Sequence, residues 1–539
     1  MSILMGMDGI RLDGCSLTIE DLVRIARDGK RVGIDEEAFA RMRSSRAVVE
    51  RCVDQELVRY GITTGFGKFC NVVISKEENT ILQKNLIMSH ACGLGEPLAQ
   101  EVVRAMIALR VNALAVGNSG IRPQTVQLLV DMLNAQVIPI VPEKGSLGAS
   151  GDLAPLAHIA LVMIGLGEAL YKGERMAGST ALSLAGLKPV VLEAKEGLAL
   201  INGTQAMTAI GALAVHDACL AYSTAQLASA LTTQALRGII DAFDPRIHEL
   251  RRQPGQIACA SEMRRMLEDS RLVTRQGELR VQDAYALRCI PQVHGASRDA
   301  LSYAQQVLAR ELNAVTDNPI IFPKPSLMLE GSIATEDGRD PGDIISGGNF
   351  HGQPIALAMD FLSIASAELA NISERRLERL VNPALSEGLP AFLTISGGIN
   401  SGFMIVQYVA AALVSENKAL AHPASVDSIP SSANQEDHVS MGTIAARKAR
   451  AIVGNAQRVI ALELAAACQA LDLRAIQMGI PSIEPLLSPS TAAAYRVVRS
   501  VVDRLDADRV MYPDLDAITS LVAEGSIAEC IPCADSQKF

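Results

Sequence analysis

The segment of the sequence with the most chemical potential is GSLGASGDLAPLAH, from Gly145 to His158. Its ordinary interpretation is a loop of small residues before a helix, with Asp152 as N-cap and Pro155 in the first turn. The triplet Ala149-Ser150-Gly151 can also react with itself. Where the backbone bends tightly enough, the glycine amide nitrogen attacks the alanine carbonyl carbon, and loss of two waters leaves an imidazolone with an exocyclic methylene carbon. That product would be a strong electrophile made without an external cofactor.

The composition favours a mainly α fold. Hydrophobic residues make up 49% of the 539 residues, charged residues 20% and aromatic residues 3%, and tryptophan is absent. Sheet cores draw on β-branched and aromatic side chains, whereas an apolar set dominated by Ala and Leu favours helices. Gly-, Pro- and Asn-rich loops interrupt the first part of the chain, and long helical periodicity follows. We therefore predict a loop-rich N-terminal domain over 1–215, and a helical bundle with a C-terminal helical region over 216–539.

Individual helices can be predicted from caps and apolar spacing. Thr18 is a suitable N-cap for a first helix, which Glu20 and Asp21 favour electrostatically and Gly29 can end. Two later segments carry apolar residues on one helical face, and these residues are predicted to be buried. They are Leu301, Ala304, Leu308, Leu312, and Ile355, Met359, Leu362, Leu369, Ile372.

The charge pattern limits the possible partners. The formal net charge is −10 and no basic tract is present, so we expect no nucleic acid or membrane partner. The uncharged stretches 197–215 and 220–236 contain Asn, Gln, Thr and Ser, which predicts buried core helices. The N-terminus lacks the pattern of a secretory signal, and the ten cysteines are scattered, so we expect a cytoplasmic protein without a metal site. The acidic segment 323–343 is predicted to be a surface loop.

Six separated motifs, in order along the chain, resemble one known family. Besides the Gly145–His158 segment they are YGITTGFG, KEGLALINGTQ, QDAYALRCIPQVHG, ISGGNFHGQP and SANQEDHVSMG. The chain resembles, over nearly its whole length, the aromatic amino acid ammonia-lyases and aminomutases that use a methylidene-imidazolone (MIO) group. The resemblance implies helical homotetramers whose active sites each take residues from three subunits. It also implies that MIO forms from Ala149, Ser150 and Gly151, with no other cofactor.

The resemblance further implies roles for single residues. Tyr60 resembles the base on the loop that closes over the site, and as a phenolate it would need a lowered pKa. Arg288 resembles the clamp for the substrate carboxylate, which a guanidinium binds in a bidentate manner. The remaining predicted residues support the MIO group or the amino-acid head. They are Asn202, Gln282, Tyr285 and Phe350.

Three positions bear on the choice of substrate. His90 resembles a histidine shared by the histidine and tyrosine lyases, and Glu436 a glutamate that is typical of the histidine branch. A carboxylate can orient an imidazole, whereas buried against a phenyl ring it would stay unpaired at a cost of several kcal/mol. Met404 also matches the histidine branch. The resemblance thus implies elimination of ammonia from L-histidine, with trans-urocanate as the other product, as the first step of histidine degradation.

Several alternatives remain open at this point. A lyase or a 2,3-aminomutase that acts on tyrosine or phenylalanine would share most of these motifs. Glu436 argues against the lyase and against the aminomutase. A non-catalytic helical oligomer would not need Tyr60, Asn202, Tyr285 and Arg288 together. A fumarase-like lyase lacks support because the sequence has no G-S-S-x-M-P signature.

Overall fold

A computed structural model describes residues 9–324 and 342–531 of the chain. Residues 1–8, on which the prediction for the N-terminus partly rests, lie outside the described residues. The predicted acidic loop over 323–343 also lies mostly outside them. Its two ends differ from the prediction, because Pro323 closes one strand and Gly342 and Asp343 open the strand that pairs with it.

The chain divides into two compact units, and neither is continuous in sequence. The first unit comprises Met1–Leu213, Gln306–Met359 and Pro423–Arg447, and the second comprises Ala214–Gln305, Asp360–His422 and Lys448–Phe539. The first break after Leu213 lies close to the boundary at 215/216, but two later segments return to the first unit. A single boundary between two domains therefore stays a prediction.

Helices dominate the first unit, as the composition predicted. Its helices are α1 (Ile19–Ala26), α2 (Glu36–Asp54), α3 (Lys76–His90), α4 (Gln100–Ala115), α5 (Pro123–Asn134), α6 (Leu153–Met163), α7 (Gly178–Leu184), α8 (Glu196–Ile201) and the start of α9 (Gln205–Ala235). Residues 102–115 of α4 are buried on every side, which makes α4 the central helix of this unit. Helix α4 packs with α1 and α5, while α3, α6 and α8 pack together.

The first unit also contains short strands, which pair with one another in small sheets. They are β1 (Ile10–Leu12), β2 (Val32–Ile34), β3 (Leu94–Pro97), β4 (Ile138–Pro139), β5 (Pro142–Lys144), β6 (Glu168–Tyr171), β7 (Glu174–Ala177), β8 (Ile320–Pro323) and β9 (Gly342–Ile345). Strands β1 and β2 pair in parallel, with Ile10 opposite Val32. The pairs β3–β5 and β8–β9 and the sheet β4-β6-β7 are antiparallel.

Helices of 4 to 37 residues form the second unit. Besides the end of α9 they are α10 (Pro245–Arg251), α11 (Pro254–Leu267), α12 (Tyr285–Arg288), α13 (Ile290–Glu311), α14 (Gln353–Val381), α15 (Met404–Leu420), α16 (Gly442–Met478), α17 (Pro489–Arg499) and α18 (Tyr512–Glu524). Of these, α13, α14 and α16 contribute residues to both units. The mainly α fold is confirmed.

The sequence signals account for these elements well. Thr18 caps α1 by accepting a hydrogen bond from the Asp21 amide at 3.0 Å, although the helix ends at Ala26, before Gly29. All nine residues predicted from the two apolar stripes are buried. Among the described helices, α9 and α14 are long and apolar enough to cross a membrane, but 72% and 67% of their apolar windows are buried inside the structure. Helices buried to this extent are core helices, which agrees with the burial predicted from the sequence.

A network of buried polar side chains crosses the second unit. Arg376 donates to both carboxylate oxygens of Glu463, at 2.6 and 2.8 Å. Its third nitrogen contacts Nε2 of His294 at 3.2 Å, and both members of the ion pair are fully buried. Burial and the nearby Arg376 charge lower the pKa of His294 well below its usual value, so this imidazole is neutral and accepts from Arg376.

Two adjacent arginines on α14 allow a matched test of this network. We expect Arg376→Met to lower the free energy of unfolding by about 3–5 kcal/mol, because it leaves Glu463 buried without its partner. Arg375 pairs with Glu374 while its own side chain is 53% exposed. The buried Glu374 keeps a hydrogen bond from Gln407 at 2.7 Å, so Arg375→Met should cost only about 1 kcal/mol. Denaturant unfolding followed by circular dichroism measures both losses. Equal losses would contradict the importance assigned to the buried pair.

Candidate active site

The Ala149-Ser150-Gly151 triplet lies in the loop between β5 and α6, where it is pressed against a second loop. Gly151 has a left-handed backbone with φ +73°, and a Cβ atom there would lie 2.3 Å from the Gly203 carbonyl oxygen. The same oxygen accepts a hydrogen bond from the Asp152 amide at 2.7 Å. Two glycine backbones therefore meet without room for a side chain, and this contact requires glycine at 151.

Ser150 is held by residues from two distant parts of the sequence. Its carbonyl oxygen accepts a hydrogen bond from the Asn202 side-chain amide at 2.9 Å, and its hydroxyl donates to Oε1 of Glu436 at 3.0 Å. The side-chain oxygen of Asn202 is buried and has no hydrogen-bond partner among the described residues. The structure thus brings together three residues that the sequence motifs singled out separately.

Asp152 has a different position from the simple cap that the sequence suggested. It occupies the N-cap position of α6, with Pro155 in the first turn, but its side chain does not cap the helix. The buried carboxylate instead accepts from the Ser146 hydroxyl and the Met207 amide, each at 2.8 Å, and from the Thr443 hydroxyl. Burial raises its pKa. Sequence reasoning missed this anchoring role, because an Asp before a helix is usually a cap.

A cavity of about 1220 Å³ opens beside Ser150, and the residues that line it belong to the first unit. Its walls are partly apolar, with Phe66, Leu86 and Ile201 among them. Six residues predicted from separate motifs line this cavity together. They are Tyr60, His90, Ser150, Asn202, Phe350 and Glu436.

Four predicted residues belong to the second unit and do not line this cavity of the chain. The Arg288 guanidinium lies over the Tyr285 ring, 4.5 Å from its centroid, and Tyr285 is 69% exposed. Gln282 precedes α12 and is exposed, and Met404 begins α15. Contacts within the first unit therefore do not place Arg288, the predicted carboxylate clamp, in this cavity.

His90 presents a defined edge to the cavity. It ends α3, and its Nδ1 lies 2.8 Å from the Leu86 carbonyl oxygen. Since a carbonyl only accepts, Nδ1 carries the proton and Nε2 keeps its lone pair. Burial lowers the pKa of His90, against the opposing effects of Leu86 and Glu436. A neutral His90 can therefore accept a hydrogen bond from a ligand N–H or O–H group.

The environment of Tyr60 differs from the one expected for a tyrosine with a lowered pKa. Its hydroxyl oxygen accepts from the Gly67 amide at 3.5 Å, and burial raises its pKa, with Cys70 and Glu436 acting in the same direction. The predicted lowering of this pKa was wrong for the chain as described. The physical reason is that burial and a neighbouring carboxylate both disfavour the phenolate, and the single amide donor does not offset them.

The residues around the triplet fit the formation of MIO. Left-handed Gly151 lies against Gly203, and Ser150 faces the cavity. The Asn202 side-chain oxygen, which has no partner in the part of the chain that the structure describes, adds an acceptor beside it. No cluster of three or more His, Cys, Asp or Glu side chains suited to a metal ion occurs in residues 9–324 and 342–531. These residues would hold an MIO group formed from the triplet, and such a group would supply an electrophilic carbon at position 150 beside the side chains of the cavity.

The family model described as aromatic amino acid lyase matches residues 17–500, and the chain belongs to that family. It is therefore a carbon–nitrogen lyase.

Similar proteins include the histidine ammonia-lyases of Alkaliphilus oremlandii and Caldanaerobacter subterraneus. Each is 57% identical over 97% of this chain, which corresponds to 99% and 98% of those proteins.

Two solved structures have the same fold. Histidine ammonia-lyase from Trypanosoma cruzi has a TM-score of 0.86 at 43% identity, covering 97% of this chain and 94% of that one. Tyrosine aminomutase from Streptomyces globisporus has a TM-score of 0.89 at 38% identity, covering 98% of this chain and 100% of that one.

The pKa of Tyr60 can be measured directly. We expect the phenol to ionise above the ordinary tyrosine pKa of about 10, because burial disfavours the phenolate. The measurement is an ultraviolet pH titration from which the curve of Tyr60→Phe is subtracted. N-acetyltyrosinamide titrated in the same buffer supplies the reference. A Tyr60 component that ionises below this reference would show that the site lowers the pKa.

Proposed function

We propose that this protein is a histidine ammonia-lyase, which removes ammonia from L-histidine and releases trans-urocanate as the first step of histidine degradation. The observation that carries the proposal is the placement of Glu436 and His90 in one cavity with Ser150. The high identity to proteins named histidine ammonia-lyase supports the same conclusion. We place the enzyme in the cytoplasm, with no external cofactor, metal, nucleic acid or membrane partner.

Ala149, Ser150 and Gly151 are the proposed source of the MIO electrophile. When formed, MIO supplies an electrophilic carbon that makes the substrate amino group a better leaving group. The Asn202 amide, which donates to the Ser150 carbonyl oxygen at 2.9 Å, favours negative charge on that oxygen. Phe350 lines the wall of the cavity and limits access of water to it.

The side chains opposite Ser150 suit an imidazole. Neutral His90 accepts a hydrogen bond from one substrate ring N–H through Nε2, and the Glu436 carboxylate accepts from the other and stabilises the protonated ring. Tyr60 takes the β-proton. A raised pKa makes its phenolate a stronger base while reducing the fraction that is ionised at neutral pH.

The site is completed by other subunits in this proposal. Gln282, Tyr285, Arg288 and Met404 bind the amino-acid head and ring of the substrate, yet the cavity of the first unit lacks them. Exposed apolar residues on α14 and α15, among them Phe361, Ile364, Ile405 and Tyr408, suit burial between subunits. We therefore propose a homotetramer in which neighbouring chains supply these residues.

Substrate preference tests the role of Glu436. We expect urocanate formation from histidine and no product from tyrosine or phenylalanine. Glu436→Gln keeps an acceptor for Ser150 but loses the charge, so kcat/KM for histidine should fall roughly ten- to a hundredfold, the worth of a charge-assisted hydrogen bond.

The matched control is Asp437→Asn, since Asp437 is exposed and does not line the cavity; it should retain activity. Absorbance at the urocanate band gives the rates, and product analysis separates a lyase from an aminomutase. A preference for tyrosine, or a β-amino acid product, would overturn the proposal.

Subunit sharing can be tested by complementation. Ser150→Ala and Arg288→Met should each be inactive alone, whereas hybrids purified through two different tags should regain part of the activity. Such hybrids contain sites that combine intact Ser150 of one chain with intact Arg288 of another. Hybrids of Ser150→Ala with Tyr60→Phe, two residues of one cavity, should stay inactive. Recovery in neither hybrid would mean that each chain supplies its own Arg288.

A further inference from the structure

A buried arginine lies behind the loop that presses on the triplet. Arg110, on the central helix α4, is 2% exposed. Its Nη1 donates to the backbone carbonyl oxygen of Asn202 at 2.9 Å and to Oε1 of Gln205 at 2.8 Å. Gln205 in turn donates to the Thr316 hydroxyl at 2.9 Å. The guanidinium therefore fixes both ends of the turn 202–205.

The turn 202–205 is tightly packed between Arg110 and the Ala149-Ser150-Gly151 triplet. A Cβ at Gly203 would lie 2.4 Å from Nη1 of Arg110, and a Cβ at Gly151 would lie 2.3 Å from the Gly203 oxygen. The guanidinium, the Gly203 backbone and the Gly151 backbone are thus packed in succession. A shift of the Asn202–Gly203 peptide would loosen the Gly151 contact and move the Asn202 amide away from the Ser150 oxygen.

The bonding of Arg110 is unusual for a group that serves stability alone. Its Nε and Nη2 are buried and have no hydrogen-bond partner in residues 9–324 and 342–531. A buried donor without an acceptor costs about 1–3 kcal/mol. Burial lowers the pKa of Arg110 to about 10 although the Asp317 charge opposes this, so the group stays charged at neutral pH. Asp317 itself pairs with Lys195 at 2.7 Å, and its charge is shared between two cations.

We propose that Arg110 is a positioning residue for the self-modification of the chain: it holds the Asn202–Gly203 peptide against Ala149-Ser150-Gly151 so that the ring closes. The inference rests on the proposed function, since ring closure is part of it. In that step the Gly151 nitrogen bonds to the Ala149 carbonyl carbon. The Ala149 oxygen leaves as water with the amide protons of Gly151 and Ser150. The Ser150 hydroxyl then leaves with the α-proton of the same residue as a second water.

Intact mass of the folded protein measures this step without an activity assay. The wild type is expected to be two waters lighter than its sequence. Folded Arg110→Met should keep the full sequence mass in most chains. Arg110→Lys supplies one charged donor in place of the fork, and should show a mixture of full-mass and lighter chains. Arg110 does not line the cavity, so the KM of the lighter Arg110→Lys chains should equal that of wild type.

Arg104 supplies the matched control on the same helix. It is 7% exposed and donates to the Ile25 carbonyl oxygen at 2.8 and 3.1 Å, away from the turn 202–205. Arg104→Met should lose stability in thermal unfolding and still lose both waters completely.

The outcomes separate this inference from the proposed function. Full sequence mass in the wild type would defeat the proposed function at its first step. A wild type two waters lighter, with Arg110→Met equally light, would overturn the role of Arg110 alone. A deficit of a single water in Arg110→Met would also overturn it, because the ring would then have closed. Should Arg110→Met not fold, a complete deficit in Arg110→Lys overturns the role and a partial deficit supports it.

Discussion

The close approach of two glycine backbones, at Gly151 and Gly203, constrains much of the surrounding structure. Contact between main chains requires that nothing larger than hydrogen intervene, and it leaves their polar groups to be satisfied locally. The Gly203 oxygen is satisfied by the Asp152 amide, at 2.7 Å. Every element that ends near this contact must therefore place its backbone correctly. This explains why short, tightly connected elements surround a loop that carries the chemistry.

Buried ionic groups fix the position of the backbone around this glycine contact at several points. Lys195 is the N-cap residue of α8, with a left-handed backbone of φ 70°, and pairs with Asp317 while both are fully buried. Asp152 joins the loop after β5 to the start of α9 and to Thr443. Such pairs add little net stability, because desolvation offsets their attraction. These pairs instead fix the geometry of the backbone. A displaced loop would leave a buried charge without its partner, and the free-energy cost of such a charge strongly disfavours the displacement.

The sequence predicted the helical class and the buried stripes because apolar periodicity reflects burial directly. Six of the predicted site residues share one cavity, although only the resemblance of separated motifs could connect Tyr60 with Glu436. The roles assigned to them stay predictions. The sequence did not reveal Arg110, which lies in no recognised motif and looks like any arginine on a helix. The direction of the Tyr60 pKa was wrong for a related reason. Burial and the placement of a neighbouring charge depend on the folded environment, which one sequence does not specify.

Glu436 connects the making of the electrophile with recognition of the substrate. In the described chain its Oε1 accepts from the Ser150 hydroxyl at 3.0 Å, and Oε2 accepts from the Ser431 hydroxyl at 3.1 Å. The proposed ring closure removes the Ser150 hydroxyl as water, so Oε1 loses its donor. A partly buried carboxylate without a donor has a strong preference for a new one. An imidazole N–H provides that donor and a phenyl ring does not, so completion of the electrophile and preference for histidine depend on the same oxygen atom.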